Sequence, residues 1–373
     1  MPEDQEWRLN RIHDAMNAAG MDGLLCYGAG WRRENVRYLT AAPLRGSFAL
    51  GFVPADGNIT AFVTTDQDQR AIRQQGRVDD IRPLLLPGCD EVAARIQEGG
   101  VPEVLGVAHL ELMPTVLLGA LERALPATHI VSATRLMDLV RLVKSDWELE
   151  RIRRAGEVCA AGWLAFVDAM KPGAYEYQII ANVEATIKSL GAEDNFMLIA
   201  AGGKEIMGMT PPTSHRLEVG DMVRTEMTPQ LDGYYAQICR TAVLGQPSAD
   251  QIRSFEIMKE SLEAGLAALH AGVLACEVAK AENDVFRKHG YGEYTSSKYT
   301  RVRGHGHGLH PDEAPPLLES DDTVIEENAV IIVHPNTYMP LAGYHVLGDP
   351  VRVTASGCEL LLNTERKLFV AEA

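Results

Sequence analysis

Between Trp7 and about Val140, stretches of helical period alternate with short apolar runs. Leu9, Ile12, Met16 and Ala19 recur every three or four positions, so an amphipathic helix is predicted over Leu9–Ala19. Apolar runs at Gly23–Tyr27, Ser47–Val53, Thr60–Val63 and Val104–Ala108 predict strands, with helices at Asp66–Gln75 and Leu112–Ala124 between them. Such alternation implies an α/β layer. From Lys144 the pattern changes. Two long helical stretches, Asp146–Met170 and Tyr175–Leu190, precede one group of strands, and a second helical pair, Asp250–Leu269 and Ala275–His289, precedes another. The second half therefore reads as a pseudo-repeat, each part a helix pair followed by an antiparallel sheet. The chain as a whole is α+β, with domains expected at 1–140 and 141–373.

Composition changes this picture only at its edges. A chain of 373 residues is long for a single core, and its 46% hydrophobic and 23% charged residues are ordinary for a globular enzyme. A net charge of −16 disfavours nucleic acid, anionic membranes and polyanions as partners. The segment Met1-Pro2-Glu3-Asp4-Gln5-Glu6-Trp7 has neither the basic start nor the apolar run of a secretory signal. A cytoplasmic protein with a small-molecule substrate is expected. Cys26, Cys89, Cys159, Cys239, Cys276 and Cys358 are scattered without a C-x-x-C pair. Five of them read as small buried hydrophobes. Cys239 stands apart because it follows Gln237 by two residues, which places both on one face of a strand.

The candidate chemistry lies in three segments. The first is Gly220-Asp221-Met222-Val223-Arg224-Thr225-Glu226, continued by Asp232-Gly233-Tyr234-Tyr235-Ala236-Gln237-Ile238-Cys239-Arg240-Thr241. The second is Gly304-His305-Gly306-His307-Gly308-Leu309 with Glu313-Ala314-Pro315, and the third is Ile332-Val333-His334-Pro335-Asn336-Thr337-Tyr338. With Lys144-Ser145-Asp146, Lys171-Pro172-Gly173 and Gly357-Cys358-Glu359 in the same order, the chain resembles the creatinase, prolidase and aminopeptidase P family, whose pita-bread fold is shared with methionine aminopeptidase. The resemblance implies a C-terminal pita-bread domain, a smaller N-terminal α/β creatinase-like domain, and a homodimer.

In that family carboxylates and a histidine hold two divalent ions, and the corresponding positions here are Glu226, Gln237, His305, His334 and Gly348. Two hard cations need formal negative charge, which an amide does not supply. The resemblance so read implies a metal-independent, creatinase-like hydrolase of an amide, amidine or lactam C–N bond, with no cofactor expected. Glu226, His305 and His334 are the expected acid/base groups, since an imidazole titrates near neutrality, and Cys239 joins them from the same strand. Gln237, Tyr235, Arg45, Thr210, His307, His310, Glu313 and His345 are the expected substrate-binding residues. Of these, Arg45 and Thr210 fall at or beside a substrate-gripping arginine and a catalytic histidine of creatinase. Two alternatives stand beside this reading. One is a single divalent metal on His305, His334 and Glu226, serving a hydrolase or a lyase. The other is an inactive pita-bread protein that binds peptides or other ligands.

Overall fold

The computed structural model describes residues 4–84 and 90–373, so the expectation for Cys89 falls outside the described residues. The chain divides into two compact units, Met1–Arg141 and Leu142–Ala373.

In the first unit, helix α1 (Gln5–Ala18) leads into a six-stranded mixed sheet of β1 (Gly23–Ala29), β2 (Phe48–Pro54), β3 (Thr60–Val63), β4 (Asp80–Pro83), β5 (Val104–Ala108) and β6 (His129–Ser132). Its order is β4-β3-β2-β1-β5-β6. Helices α2 (Glu34–Thr40), α3 (Asp66–Gln75), α4 (Asp90–Gln97), α5 (Thr115–Ala124) and α6 (Thr134–Leu142) connect the strands. Thr65 starts α3 by accepting the Asp68 backbone N–H, and Gly76 ends it with a left-handed φ of 65°. The helix predicted over Leu112–Ala124 is shorter, because Pro114 lacks an N–H and fits only ahead of the first helical turn. The core joins Leu25, Leu50, Phe62 and Val107 of the sheet to Ile96, Leu117 and Leu121 of the helices.

The second unit repeats one arrangement twice. Helix α7 (Asp146–Ala169) opens with a capping box in which Ser145 and Glu148 exchange hydrogen bonds, and α8 (Glu176–Ser189) follows it. Both cover a sheet of β7 (Asp194–Gly202), β8 (Met222–Leu231), β9 (Tyr234–Tyr235), β10 (Ile238–Leu244) and the late β18 (Phe369–Ala371). Trp163, Phe166, Ile179 and Val183 pack there against Val223, Met227 and Ile238. Helices α9 (Ala249–Ala268) and α10 (Ala275–Lys288) cover the second sheet, ordered β12-β11-β13-β16-β17. Its strands are β11 (Gly304–Gly306), β12 (Glu313–Pro316), β13 (Val330–Val333), β16 (Asp349–Thr354) and β17 (Gly357–Leu360). The short hairpin β14 (Thr337–Met339) and β15 (Gly343–His345) lies between β13 and β16 in the chain. Phe255, Leu262, Val278 and Phe286 face Ile331, Val333 and Val351 in the second core. Each such buried side chain contributes about 1.5–3 kcal/mol relative to exposure.

The two sheets meet where Cys239 and Gly348 exchange backbone hydrogen bonds of 3.2 and 3.0 Å. Arg240 reinforces the seam by donating to the Gly348 carbonyl and to the buried Asp349 carboxylate, which Arg366 also contacts. This seam places the three chemistry-bearing segments side by side.

Candidate active site

Strand alternation turns Val223 and Met227 of β8 toward the helices, which leaves Glu226 on the opposite face. Its register partner on β10 is Cys239, and the Cys239 thiol donates to Glu226 Oε2 at 3.7 Å. Gln237 sits just before β10, fully buried, and its amide donates to Cys239 Sγ at 3.8 Å. Asn336, beyond β13, donates to the same sulfur at 3.5 Å and accepts the Leu347 N–H at 3.1 Å. Burial, and then the neighbouring Glu226, holds the Cys239 thiol well above its usual titration range. Cys239 is therefore a neutral hydrogen-bonding partner at neutral pH, lacking the electropositive surroundings that make a thiolate.

The histidines come from the second sheet. His305 lies on β11, and its Nδ1 bonds the Gly306 carbonyl at 2.8 Å, which leaves Nε2 as the lone-pair nitrogen of the neutral ring. His334 follows β13, its backbone N–H donating to the Arg303 carbonyl at 2.9 Å. The two rings meet edge to face with centroids 5.1 Å apart. Burial lowers the pKa of both, and at His334 the neighbouring His305 ring lowers it further. Asp312 Oδ1 lies 3.7 Å from His305 Nδ1, while Asp312 Oδ2 binds Arg301 at 2.6 Å. Burial would raise the Asp312 carboxyl, but His305 and Arg301 hold it below the ordinary range. Glu226 behaves oppositely. Burial first and the negative Asp312 second raise it to about 7, so one carboxyl is a fixed anion and the other exchanges its proton near neutrality.

Gly348 marks how tightly this face is built. A side-chain carbon there would stand 2.5 Å from His334 Cβ and 2.8 Å from the Val333 carbonyl. Gly348→Ala is expected to displace His334 and to lower turnover more than melting temperature, which parallel kinetic and thermal-melt measurements check.

The remaining expected site residues sort by their contacts. His307 is fully buried, bonds the Pro311 carbonyl at 2.9 Å, and is pushed by burial and by His305 to about 3. Glu313 accepts the Leu309 and His310 N–H groups at 3.1 and 3.2 Å and pairs with buried Lys144 at 3.1 Å. These bonds tie Glu313 to the histidine loop. The Tyr235 N–H donates to the Gly308 carbonyl at 2.8 Å and supports the same loop. His310 accepts the Asp312 N–H at Nδ1, 3.1 Å away. His345 is buried on β15 and is held at about 3 by burial and by Arg224. Thr210 is exposed beside β7 and donates to the Pro211 carbonyl. Arg45 belongs to the first unit, where its backbone N–H donates to Asp68 at 2.7 Å. Arg301, Asp312, Asn336 and Tyr344 were not among the expected site residues. Tyr344 belongs with them because Glu226 and Cys239, after burial, raise its hydroxyl pKa. Asp312 stands where the family's H-E-x-P motif has its histidine, just before Glu313-Ala314-Pro315, and the other three lie close to the histidine segments.

With this geometry in place, comparison with known proteins decides the family. Residues 150–355 match metallopeptidase family M24, and residues 8–143 match the creatinase/prolidase N-terminal domain. The chain belongs to metallopeptidase family M24. It is 24% identical to a Xaa-Pro dipeptidase of Pyrococcus horikoshii over 97% of this chain and 98% of that one. A Xaa-Pro dipeptidase of Pyrococcus furiosus is 26% identical over 90% of this chain and 92% of its own length. The structure of a Xaa-Pro dipeptidase from Bacillus anthracis superposes with a TM-score of 0.84 at 24% identity, covering 98% of this chain and 99% of that one. That likeness confirms the α+β architecture, with a pita-bread domain behind a creatinase-like one.

These relatives overturn the expectation of a metal-independent, creatinase-like enzyme that needs no cofactor. The M24 family is a metallopeptidase family, and the relatives are named Xaa-Pro dipeptidases. The two alternatives, a single-metal enzyme and an inactive binding protein, gain nothing from the comparisons. Among the described residues no three His, Cys, Asp or Glu side chains converge as ligands. Glu226 is the carboxyl nearest the thiol and amide of Cys239 and Gln237, and Asp312 is engaged with Arg301. Gln237 and Gly348 stand where a two-metal cradle needs carboxylates, and a neutral amide and a glycine supply no formal negative charge. No chemical step is therefore routed through a metal here.

Proposed function

We propose that this chain is a hydrolase of the C–N bond in a small, dipeptide-sized substrate, with its reaction centre at Glu226, His305 and His334. The observation that carries the reading is the end-to-end match to Xaa-Pro dipeptidases, 97% of this chain against 98% of one relative. The local chemistry supports it. Glu226 titrates at about 7, which suits a group that must take and return a proton at working pH. The neutral His305, fixed by Gly306, presents Nε2 as an acceptor, and His334 packs edge-on against it. Gln237 donates to Cys239 Sγ at 3.8 Å, and the Cys239 thiol in turn donates to Glu226 at 3.7 Å. A homodimer and a cytoplasmic setting belong to the same proposal. Among the described residues no helix is long and apolar enough to cross a membrane.

The test is hydrolysis of a panel of Xaa-Pro and other dipeptides by purified protein, as isolated and with divalent cations supplied. Release of free amino acids by wild type, and its loss in His305→Ala, is the expected result. Release that persists unchanged in His305→Ala would remove His305 from the centre. No release from any dipeptide would remove the hydrolase reading.

A further inference from the structure

We propose that the Tyr344 hydroxyl donates a hydrogen bond to the carbonyl oxygen of the C–N bond and stabilises the negative charge that collects there during hydrolysis. The proposal rests on the hydrolase reading and adds a residue to the same site. Its starting point is the hairpin of β14 and β15. Thr337, Met339, Gly343 and His345 are buried, whereas Tyr338 and Tyr344, which stand opposite each other in register, are half-buried. Alternation therefore sends Met339 and His345 into the protein and presents the two tyrosines together on the other face. The base of the hairpin is fixed at the reaction centre. Asn336, just before β14, donates to Cys239 Sγ and accepts the N–H of Leu347, just after β15. The Tyr344 backbone is held on both sides, its N–H donating to the Ile206 carbonyl at 2.8 Å and its carbonyl accepting from Arg224 Nε.

From that backbone the side chain enters the field of Glu226, Cys239 and Arg303, which belong to β8, β10 and the residue before β11. Burial, and after it Glu226 and Cys239, holds the hydroxyl above its ordinary titration range, so it stays protonated as a donor. Other donors nearby are already committed. The Cys239 thiol donates to Glu226, the Gln237 and Asn336 amides to the Cys239 sulfur, and the Tyr338 hydroxyl to the Lys204 carbonyl at 3.1 Å. Among the described residues the Tyr344 hydroxyl donates to no protein acceptor. In the hydrolysis, water adds to the carbonyl carbon through a new C–O bond, one water proton passes to Glu226, and the carbonyl π pair moves onto the oxygen. When that pair returns, the C–N bond breaks and the nitrogen leaves with the proton from Glu226. A fixed O–H serves the oxygen most strongly while it carries charge, so it lowers the barrier more than it tightens substrate binding.

Tyr344→Phe tests the proposal, because it removes the hydroxyl and keeps the ring. Turnover of a dipeptide is measured on wild type and variant, together with calorimetric binding of a phosphinic pseudodipeptide, in which a tetrahedral, anionic phosphinate replaces the peptide bond. Both proteins are assayed as isolated and with divalent cations supplied. The variant is expected to lose about 10²–10³-fold in kcat while KM stays within about threefold of wild type. It is expected to bind the phosphinate about tenfold more weakly, and to melt at the wild-type temperature, since the hydroxyl has no protein partner to lose. An unchanged kcat, or a rise in KM that accounts for the whole loss of activity, would overturn the proposal. So would phosphinate binding that is equal in the two proteins or absent from both. The two readings fail separately. Phosphinate binding that needs the hydroxyl, in a protein that cleaves no dipeptide, leaves the donor standing and removes the hydrolase, whereas cleavage at one rate by both proteins does the reverse.

Discussion

Glu226→Gln is expected to lower kcat/KM for a hydrolysed dipeptide by about 10²–10⁴-fold, the contribution typical of one positioned proton-transfer group. The same substitution is expected to stabilise the protein at neutral pH. The folded-state pKa of Glu226 is raised from 4.5 to about 7. Below about pH 4.5 the carboxyl is protonated in both states and contributes no penalty. Between 4.5 and 7 the unfolded chain releases its proton while the folded chain retains it, so stability falls as pH rises. Above 7 the full penalty, about 3 kcal/mol by linkage, is present. Glutamine keeps the shape without the ionisation, so the variant gains up to that amount above pH 7 and almost nothing at pH 4. Urea unfolding at the two pH values measures the difference. A variant that is less stable at pH 8 would show that Glu226 is charged and satisfied in the folded protein. The account also predicts that the acidic limb of the wild-type kcat/KM profile, near 7, disappears from the residual activity of the variant.

Asp349→Ala is expected to cost about 3–5 kcal/mol, because it leaves buried Arg240 without its anionic partner and also removes the contact to Arg366. The loss falls on the seam where Cys239 and Gly348 join the two sheets. Activity should therefore drop even under conditions where the variant remains folded, since that seam holds Cys239 against Glu226 and Gly348 against His334. Denaturant unfolding gives the first number, and turnover at low temperature gives the second. An Asp349→Ala protein within 1 kcal/mol or so of wild type would show that Arg240 is satisfied by its carbonyl and hydroxyl acceptors alone.

Much of this could be read from the sequence, and the part that could not has identifiable causes. The helices of the second unit were placed to within a residue or two because capping residues such as Ser145 and Ser248 mark their starts and apolar spacing marks their faces. The strands β3 and β5 were placed at their observed limits because short apolar runs are unambiguous inside an α/β alternation. Helix α2 leaves little trace in the pattern because Glu34–Thr40 is only seven residues long and buries the polar Glu34, Asn35 and Thr40, so polar and apolar positions do not mark its inner and outer faces. At the site, Glu226, Cys239, Gln237, His305 and His334 do come together, because register and alternation follow from the motif spacing. Glu313 and the Tyr235 backbone N–H support the histidine loop, contacts that depend on Lys144 and Gly308 arriving from distant segments. Asp312 is legible as the residue replacing the histidine of the H-E-x-P motif, but its pairing with Arg301 is not, because an arginine in a loop has no sequence signature of its own. The error in function came from reasoning from donor chemistry to a metal-free enzyme. The motif order already pointed to the family, and the match to metallopeptidase family M24 is what associates it with metal-dependent peptidases.

The most direct measurement is mass-spectrometric detection of products after a dipeptide mixture is incubated with wild type and with a Glu226→Gln/His305→Ala double variant. Both would be assayed as isolated and with divalent cations supplied. Free amino acids are expected with wild type, and none above background with the double variant. Intact peptides with wild type under every condition, or equal cleavage by the double variant, would contradict it.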